Sequence, residues 1–155
     1  YQLLGHHFLA GDGRKIAGAG LFDAWTEAGP RRLIGNIVVE TDLAGATTSL
    51  VGFENHSGRT FLGDGVTALG KVVSGFGNNG QDGTEGALSQ HAFGSYMHGS
   101  LLPKNPAFAD HLIRLALDRR GWTESLPPLD DQLEEIARTG VISRTVSTGK
   151  RLHFF

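Results

Sequence analysis

The sequence predicts an α/β domain, and three observations carry that prediction. Strand-like stretches recur at 32–41, which is rich in β-branched residues, and at 49–54 and 71–73, each bounded by glycine or by polar turn formers. A segment beginning at Asn105 has Pro at its first helical position and apolar residues at helical spacing through Leu117. Hydrophobic residues make up 39% of the 155 positions against 19% charged, enough to bury the core that sheet and helix would share. At this length one domain is expected.

Taken in order, Tyr1-Gln2-Leu3-Leu4-Gly5 reads as helix already under way, because no Ser, Thr, Asp or Asn stands ahead of it as a cap. A turn at Gly11-Asp12-Gly13 and a glycine-broken stretch at 16–25 lead to Gly29-Pro30 and the strand 32–41. The strand 49–54 runs into Asn55-His56-Ser57-Gly58-Arg59, which reads as a polar turn with a short return at 60–62. A third strand, 71–73, is followed by a loop from Gly75 to Gly86. Residues 92–98 read as one buried strand ending at His98. After the helix from Pro106, an acidic amphipathic helix is expected at 130–138, behind Pro127-Pro128. The domain is therefore drawn as 1–138. Residues 139–155 are set apart as a tail, disordered or foreign to the domain.

Composition excludes several functions. A net charge of −2 argues against a nucleic-acid partner, and no apolar run reaches membrane-spanning length, so no membrane insertion and a cytoplasmic location are expected. Cysteine is absent, which removes disulfides, thiolate metal sites and a cysteine nucleophile from these residues. Asp82-Gly83-Thr84-Glu85-Gly86 has neither the Lys-Ser/Thr pair of a phosphate loop nor a calcium-ligand ladder, and Gly75–Gly80 lacks the setting of a dinucleotide fingerprint. No cofactor and no metal are expected. His6 and His7 are adjacent and cannot share a helix face, so they make no metal pair.

Two positions invite chemistry on their own. His98, at a strand end beside Gly99, suits a general base, and the competing reading is a core histidine bonded to a backbone carbonyl. Arg32, entering a strand, could clamp a carboxylate bidentately or simply be solvated. The 55–59 segment is dense in donors and acceptors, which suits a small zwitterion as well as it suits a turn.

Five ordered motifs then identify a family resemblance: Tyr1-Gln2-Leu3-Leu4-Gly5, Arg32-Leu33-Ile34-Gly35-Asn36-Ile37-Val38, Gly52 through Thr60, Gly75-Phe76-Gly77-Asn78-Asn79, and Gly94-Ser95-Tyr96-Met97-His98-Gly99. Together they resemble the class I, triad-type glutamine amidotransferases of the cobyric-acid-synthase group, and especially the glutaminase subunits of lipid II isoglutaminyl synthases. The resemblance implies a flavodoxin- or Rossmann-like three-layer sandwich, incomplete here at its N-terminus. The family's nucleophile elbow, of the form Cys-Gly-Gly-Tyr-Gln, would place its cysteine three positions before Tyr1.

Carried over by motif, His98 corresponds to the catalytic histidine and Arg32 to the glutamine-binding arginine. Gln2, Asn55, His56 and Ser57 fall on substrate-side positions. The family often has Glu two residues after the histidine, where this chain has Ser100, so the orienting acid is unassigned. The implied activity is hydrolysis of L-glutamine, with the ammonia passed to a Mur-ligase-like synthetase subunit in a heterodimer. That ATP-consuming partner would amidate D-glutamate of the lipid II stem peptide. Two alternatives stand beside it: a cobyrinic or cobyric acid amidotransferase, against which the Asn78-Asn79 loop argues, and an interaction module that is catalytically dead for want of the cysteine.

Overall fold

A computed structural model describes residues 1–149. It consists of a mixed sheet, a small two-stranded sheet and two helices, the α/β class expected. The alternation of helix with strand does not hold, because both helices follow the last strand and the sheet is antiparallel in all but one pairing. Short connections explain this, since parallel neighbours need a crossover of a dozen or more residues and most links here are turns.

The dominant feature is a long hairpin of β3 (Ala24–Leu43) and β4 (Ala46–Leu62), closed by Ala44-Gly45 with φ of 50° and 83°. Two consecutive positive φ values match the twist of the strands they join. The strands 32–41 and 49–54 read from sequence are the central parts of this pair. The polar segment 55–59 is not a turn: Asn55, His56, Gly58 and Arg59 all pair with β3. Turn-forming residues are held extended there because 16 cross-strand pairs override local preference.

Either end of β3 carries a further neighbour. β1 (His7–Leu9) lies parallel to its first residues and pairs with β2 (Lys15–Ala17), two strands the sequence reading passed over. β5 (Gly70–Ser74) joins it at Val38–Glu40 and carries β6 (Thr84–Glu85), which falls inside the expected 75–86 loop. The single buried strand expected at 92–98 is two short ones. β8 (Ala92–Gly94) pairs with β7 (Ala87–Ser89), and β9 (Met97–His98) joins the edge of β4, leaving His98 exposed. The expected helix at Tyr1–Gly5 is a single 3₁₀ turn, Gln2–Leu4.

Alternation along β3 and β4 drives Ile37, Val39, Leu43 and Leu50 into one core with Leu69, Met97 and Phe108, the last delivered by helix α1 (Pro106–Arg119). Burying a side chain such as Phe108 contributes roughly 1.5–3 kcal/mol. A second cluster of Phe22, Ala24 and Ala87 packs against Tyr1 and Leu4.

Asn105 precedes α1 as expected, yet its side chain makes no capping bond. It is buried and pairs with β4 instead, accepting from Val51 N–H at 2.8 Å and donating to Val51 O at 2.8 Å and Leu101 O at 2.5 Å. Helix α2 (Gln132–Gly149) runs well past the drawn boundary at residue 138, and Arg138 ties it to Ser49 O at 2.8 Å. Residues 150–155 lie outside the described residues.

Candidate functional site

Six side chains singled out in the sequence converge on one cavity. Gln2, Arg32, Asn55, His56, Ser57 and His98 line a space of about 470 Å³ together with Tyr1, Leu3, Ser95 and Tyr96. Four separate stretches of chain meet there: the N-terminal 3₁₀ turn, the irregular part of β3, the middle of β4, and β9. Other surface cavities are of comparable size, one of about 490 Å³ beside Glu40 and Lys71 and one of about 620 Å³ beside Leu43 and His111. They gather none of these motifs.

Arg32 owes its position to a break in register. Between Ala28 and Leu33 on β3 the partner advances only from Gly58 to His56, so Gly29-Pro30-Arg31-Arg32 bulges out. Buried Arg59 holds the bulge, donating from Nη2 to Arg31 O at 3.0 Å and from Nη1 to Ser57 O at 3.0 Å. Burial, and then the neighbouring Arg31, lower the Arg59 pKa. Arg31 turns to the ring of Phe76, 6.0 Å from its centroid, while Arg32 donates from Nη1 to Asn55 Oδ1 at 2.9 Å. The cavity rim thus carries an exposed guanidinium already oriented by an amide.

The opposite wall is built on Tyr96, which the sequence reading did not single out. Its hydroxyl accepts a bond from Gln2 Nε2 at 3.1 Å and is 2.7 Å from Thr60 Oγ1, which in turn meets Thr26 Oγ1 at 2.8 Å. Burial raises the phenol pKa, so the group remains a neutral donor. Tyr1, its pKa also raised by burial above all, packs edge-on against Tyr96 at 5.0 Å and donates to Asn78 Oδ1 at 3.0 Å. Gly58 leaves room for Gln2, since a Cβ there would lie 2.1 Å from Gln2 Nε2.

Beneath this wall are two fully buried carboxylates, also missed. Glu54 accepts from Phe76 N–H at 2.7 Å and Gly77 N–H at 3.0 Å, tying the glycine-rich loop to β4. Glu85 accepts from Tyr96 N–H at 2.7 Å and Ser95 Oγ at 2.8 Å through Oε1, while Oε2 has no hydrogen-bond partner among the described residues. Burial pushes the Glu85 carboxyl up, as expected where one oxygen is unsolvated and unbonded. Only Glu54 left a signal in the sequence, an acid ending the apolar stretch Leu50–Phe53 and stable there only with donors supplied from elsewhere; Glu85 lies in a polar glycine-rich run and left none.

His98 stands at the end of β9, paired with Phe53, and its imidazole has no hydrogen-bond or ion-pair partner among the described residues. Ser100, with φ of 55°, bonds back to Gly99 O. Among the described residues, no group of three or more His, Asp or Glu side chains could hold a metal ion. No described helix is long and apolar enough to cross a membrane.

The mixed sheet brings a strand-end histidine and an arginine–asparagine pair to one cavity, and comparison with known families assigns the chain to a class. The chain belongs to the family of CobB/CobQ-like glutamine amidotransferase domains, whose profile matches residues 1–106.

Among curated relatives, the chain is 40% identical over 144 residues to the subunit GatD of the lipid II isoglutaminyl synthase (glutamine-hydrolyzing) of Staphylococcus aureus (strain N315), covering 93% of this chain and 57% of that protein. It is 39% identical to the GatD subunit of Streptococcus pneumoniae (strain ATCC BAA-255 / R6), covering 88% of this chain and 53% of that one. A probable cobyric acid synthase of Methanothermobacter thermautotrophicus is 31% identical, covering 91% of this chain and 29% of the relative. The chain thus spans little more than half the length of the GatD relatives it matches.

Proposed function

We propose that this chain forms the histidine-bearing, glutamine-binding part of a glutaminase whose ammonia serves the amidation of lipid II. The supporting observation is the convergence of His98, Arg32 with Asn55, Gln2 and Ser57 on one cavity of a glutamine amidotransferase domain. A 470 Å³ space accommodates a glutamine, and its charges are apt. Arg32 receives the α-carboxylate, with Asn55 keeping the guanidinium in place, and the side-chain amide then extends toward Gln2 and His98.

The chain has no cysteine, so the thiol comes from the segment that, by family motif, precedes Tyr1. His98 takes the proton of that thiol as the thiolate attacks the amide carbon, then returns it to the departing nitrogen, releasing ammonia and leaving a thioester. Water, deprotonated by the same imidazole, cleaves the thioester to give glutamate and the free thiol. Exposure of His98 suits this duty, because a core-bound imidazole could not reach both the thiol and a water.

The names of the relatives give a glutamine-hydrolyzing subunit of a lipid II isoglutaminyl synthase, and the family resemblance extends the reading further. A Mur-ligase-like synthetase subunit would accept the ammonia and spend ATP to amidate D-glutamate of lipid II, in the cytoplasm and as a heterodimer with this protein. The cobyric acid synthases are matched at lower identity and over a smaller share of their length, which favours the lipid II reading.

The deciding experiment takes the full-length protein with and without the synthetase, ATP and lipid II. Glutamate and amidated lipid II should form in comparable amounts. A folded, full-length protein that releases no ammonia even with its partner would defeat the enzyme reading and leave an interaction module.

A further inference from the structure

We propose that His56 is a positioning residue: it sets the height of Tyr96 in the cavity wall and, through the Tyr96 hydroxyl, the place of the Gln2 side chain. The inference rests on the glutaminase reading and assigns His56 a role other than contact with glutamine.

The imidazole is almost fully enclosed, its side chain 4% exposed. Nδ1 lies 2.9 Å from Gly58 O, and because a carbonyl only accepts, Nδ1 carries a proton and donates it. Nε2 is buried and faces Glu54 Oε2 at 3.6 Å. Neither nitrogen is available to a ligand. What the ring offers the cavity is its face, which lies flat on Tyr96 with centroids 3.5 Å apart and planes 8° apart. Aromatic pairs usually sit 4.5–7 Å apart, offset or edge-on, so this is an unusually complete overlap.

The consequence runs outward from the core. Glu54 is fixed by the Phe76 and Gly77 N–H groups, and His56 is fixed between Glu54 and Gly58. Tyr96 is caught between the His56 face and the edge of Tyr1. The position of its hydroxyl, which holds Gln2, is inherited from that stack. Removing the imidazole leaves a gap on one side of Tyr96, into which the phenol can tilt, carrying the Gln2 bond with it.

The test is a double-mutant cycle in the full-length protein, reading glutamine hydrolysis for wild type, His56→Leu, Tyr96→Phe and the pair. His56→Leu should raise the glutamine KM roughly tenfold with kcat changed less than about threefold, while in the Tyr96→Phe background it should alter KM by less than about twofold. Equal effects in both backgrounds would mean that His56 acts on glutamine directly, and an unchanged KM in a folded His56→Leu protein would mean that it positions nothing. Either result overturns the proposal.

Should wild type prove inactive, the glutaminase reading fails separately. The NMR shifts of the Tyr96 ring and the Gln2 amide then decide: both should move in His56→Leu, and unmoved signals overturn the proposal. If His56→Leu does not fold, His56→Gln, which retains a donor for Gly58 O but no ring, is read in the same ways.

Discussion

Arg32 donates to Asn55 Oδ1 at 2.9 Å across the break in register between β3 and β4. The neighbouring Arg31 points the other way, toward Phe76. Two adjacent arginines of like chemistry are thereby separated into one that faces the cavity and one that does not, as successive side chains of an extended segment point to opposite sides.

Replacement of Arg32 by alanine in the full-length protein should therefore raise the glutamine KM roughly ten- to a hundredfold, the worth of a charge-assisted bond, with little change in melting temperature. Lysine should rescue only in part, having lost the planar fork. Arg31→Ala is the control, and steady-state kinetics showing equal effects at both positions would remove Arg32 from the site.

His98 has no partner to hold it in the described chain, so its contribution should be chemical and not structural. In the full-length protein His98→Ala should reduce kcat by roughly two to four orders of magnitude, as expected for a positioned general base, while leaving the melting temperature within a few degrees. The 155-residue chain alone, lacking cysteine, should release no ammonia from glutamine in a coupled glutamate assay.

Glu85 makes stability depend on pH. Its native pKa is raised by burial, so the folded state holds its proton more tightly than the unfolded chain, where a glutamate titrates near about 4.3. The stabilisation is fully present below that value and is lost as pH rises through the raised native pKa. Glu85→Gln keeps a carbonyl oxygen for Tyr96 N–H and Ser95 while removing the charge. Denaturation curves at several pH values should show the variant losing less stability than wild type between mildly acidic and neutral pH. Parallel profiles would disprove the assignment.

Asn105 is worth more than a helix cap. Its loss strands both the N–H and the carbonyl of buried Val51, and each such group costs about 1–3 kcal/mol. Urea denaturation should show Asn105→Ala destabilised by about 2–4 kcal/mol, and Asn105→Asp should not rescue it, because the carboxylate would face two carbonyl oxygens.

At the hairpin tip the reverse is expected. Ala44 sits at φ of 50°, which an asparagine tolerates better than an alanine. Ala44→Asn should therefore raise stability by up to about 1 kcal/mol in the same assay.

Much of this protein was legible along the chain. Runs of β-branched and apolar residues between turn formers announced the centres of β3, β4 and β5, and Asn105-Pro106 with its apolar spacing announced α1, since both signals come from preferences that the local backbone imposes. The family motifs named six residues that turn out to share a cavity, although 96 positions separate Gln2 from His98.

Tertiary structure alone decided the rest. Asn55–Arg59 has turn composition, and only pairing with β3 holds it extended; Asn105 has cap composition, and only the proximity of Val51 draws its side chain away from the helix. Glu54, Glu85 and Tyr96 showed no periodic signal, because what they hold lies on other elements: the Phe76 and Gly77 amides, the Ser95 hydroxyl, the Gln2 amide. Local propensity is a sum over neighbours in sequence and fixes strands and helices to within their ends. A buried polar group is stable only through partners brought from a distance, so its role is set when the chain closes on itself.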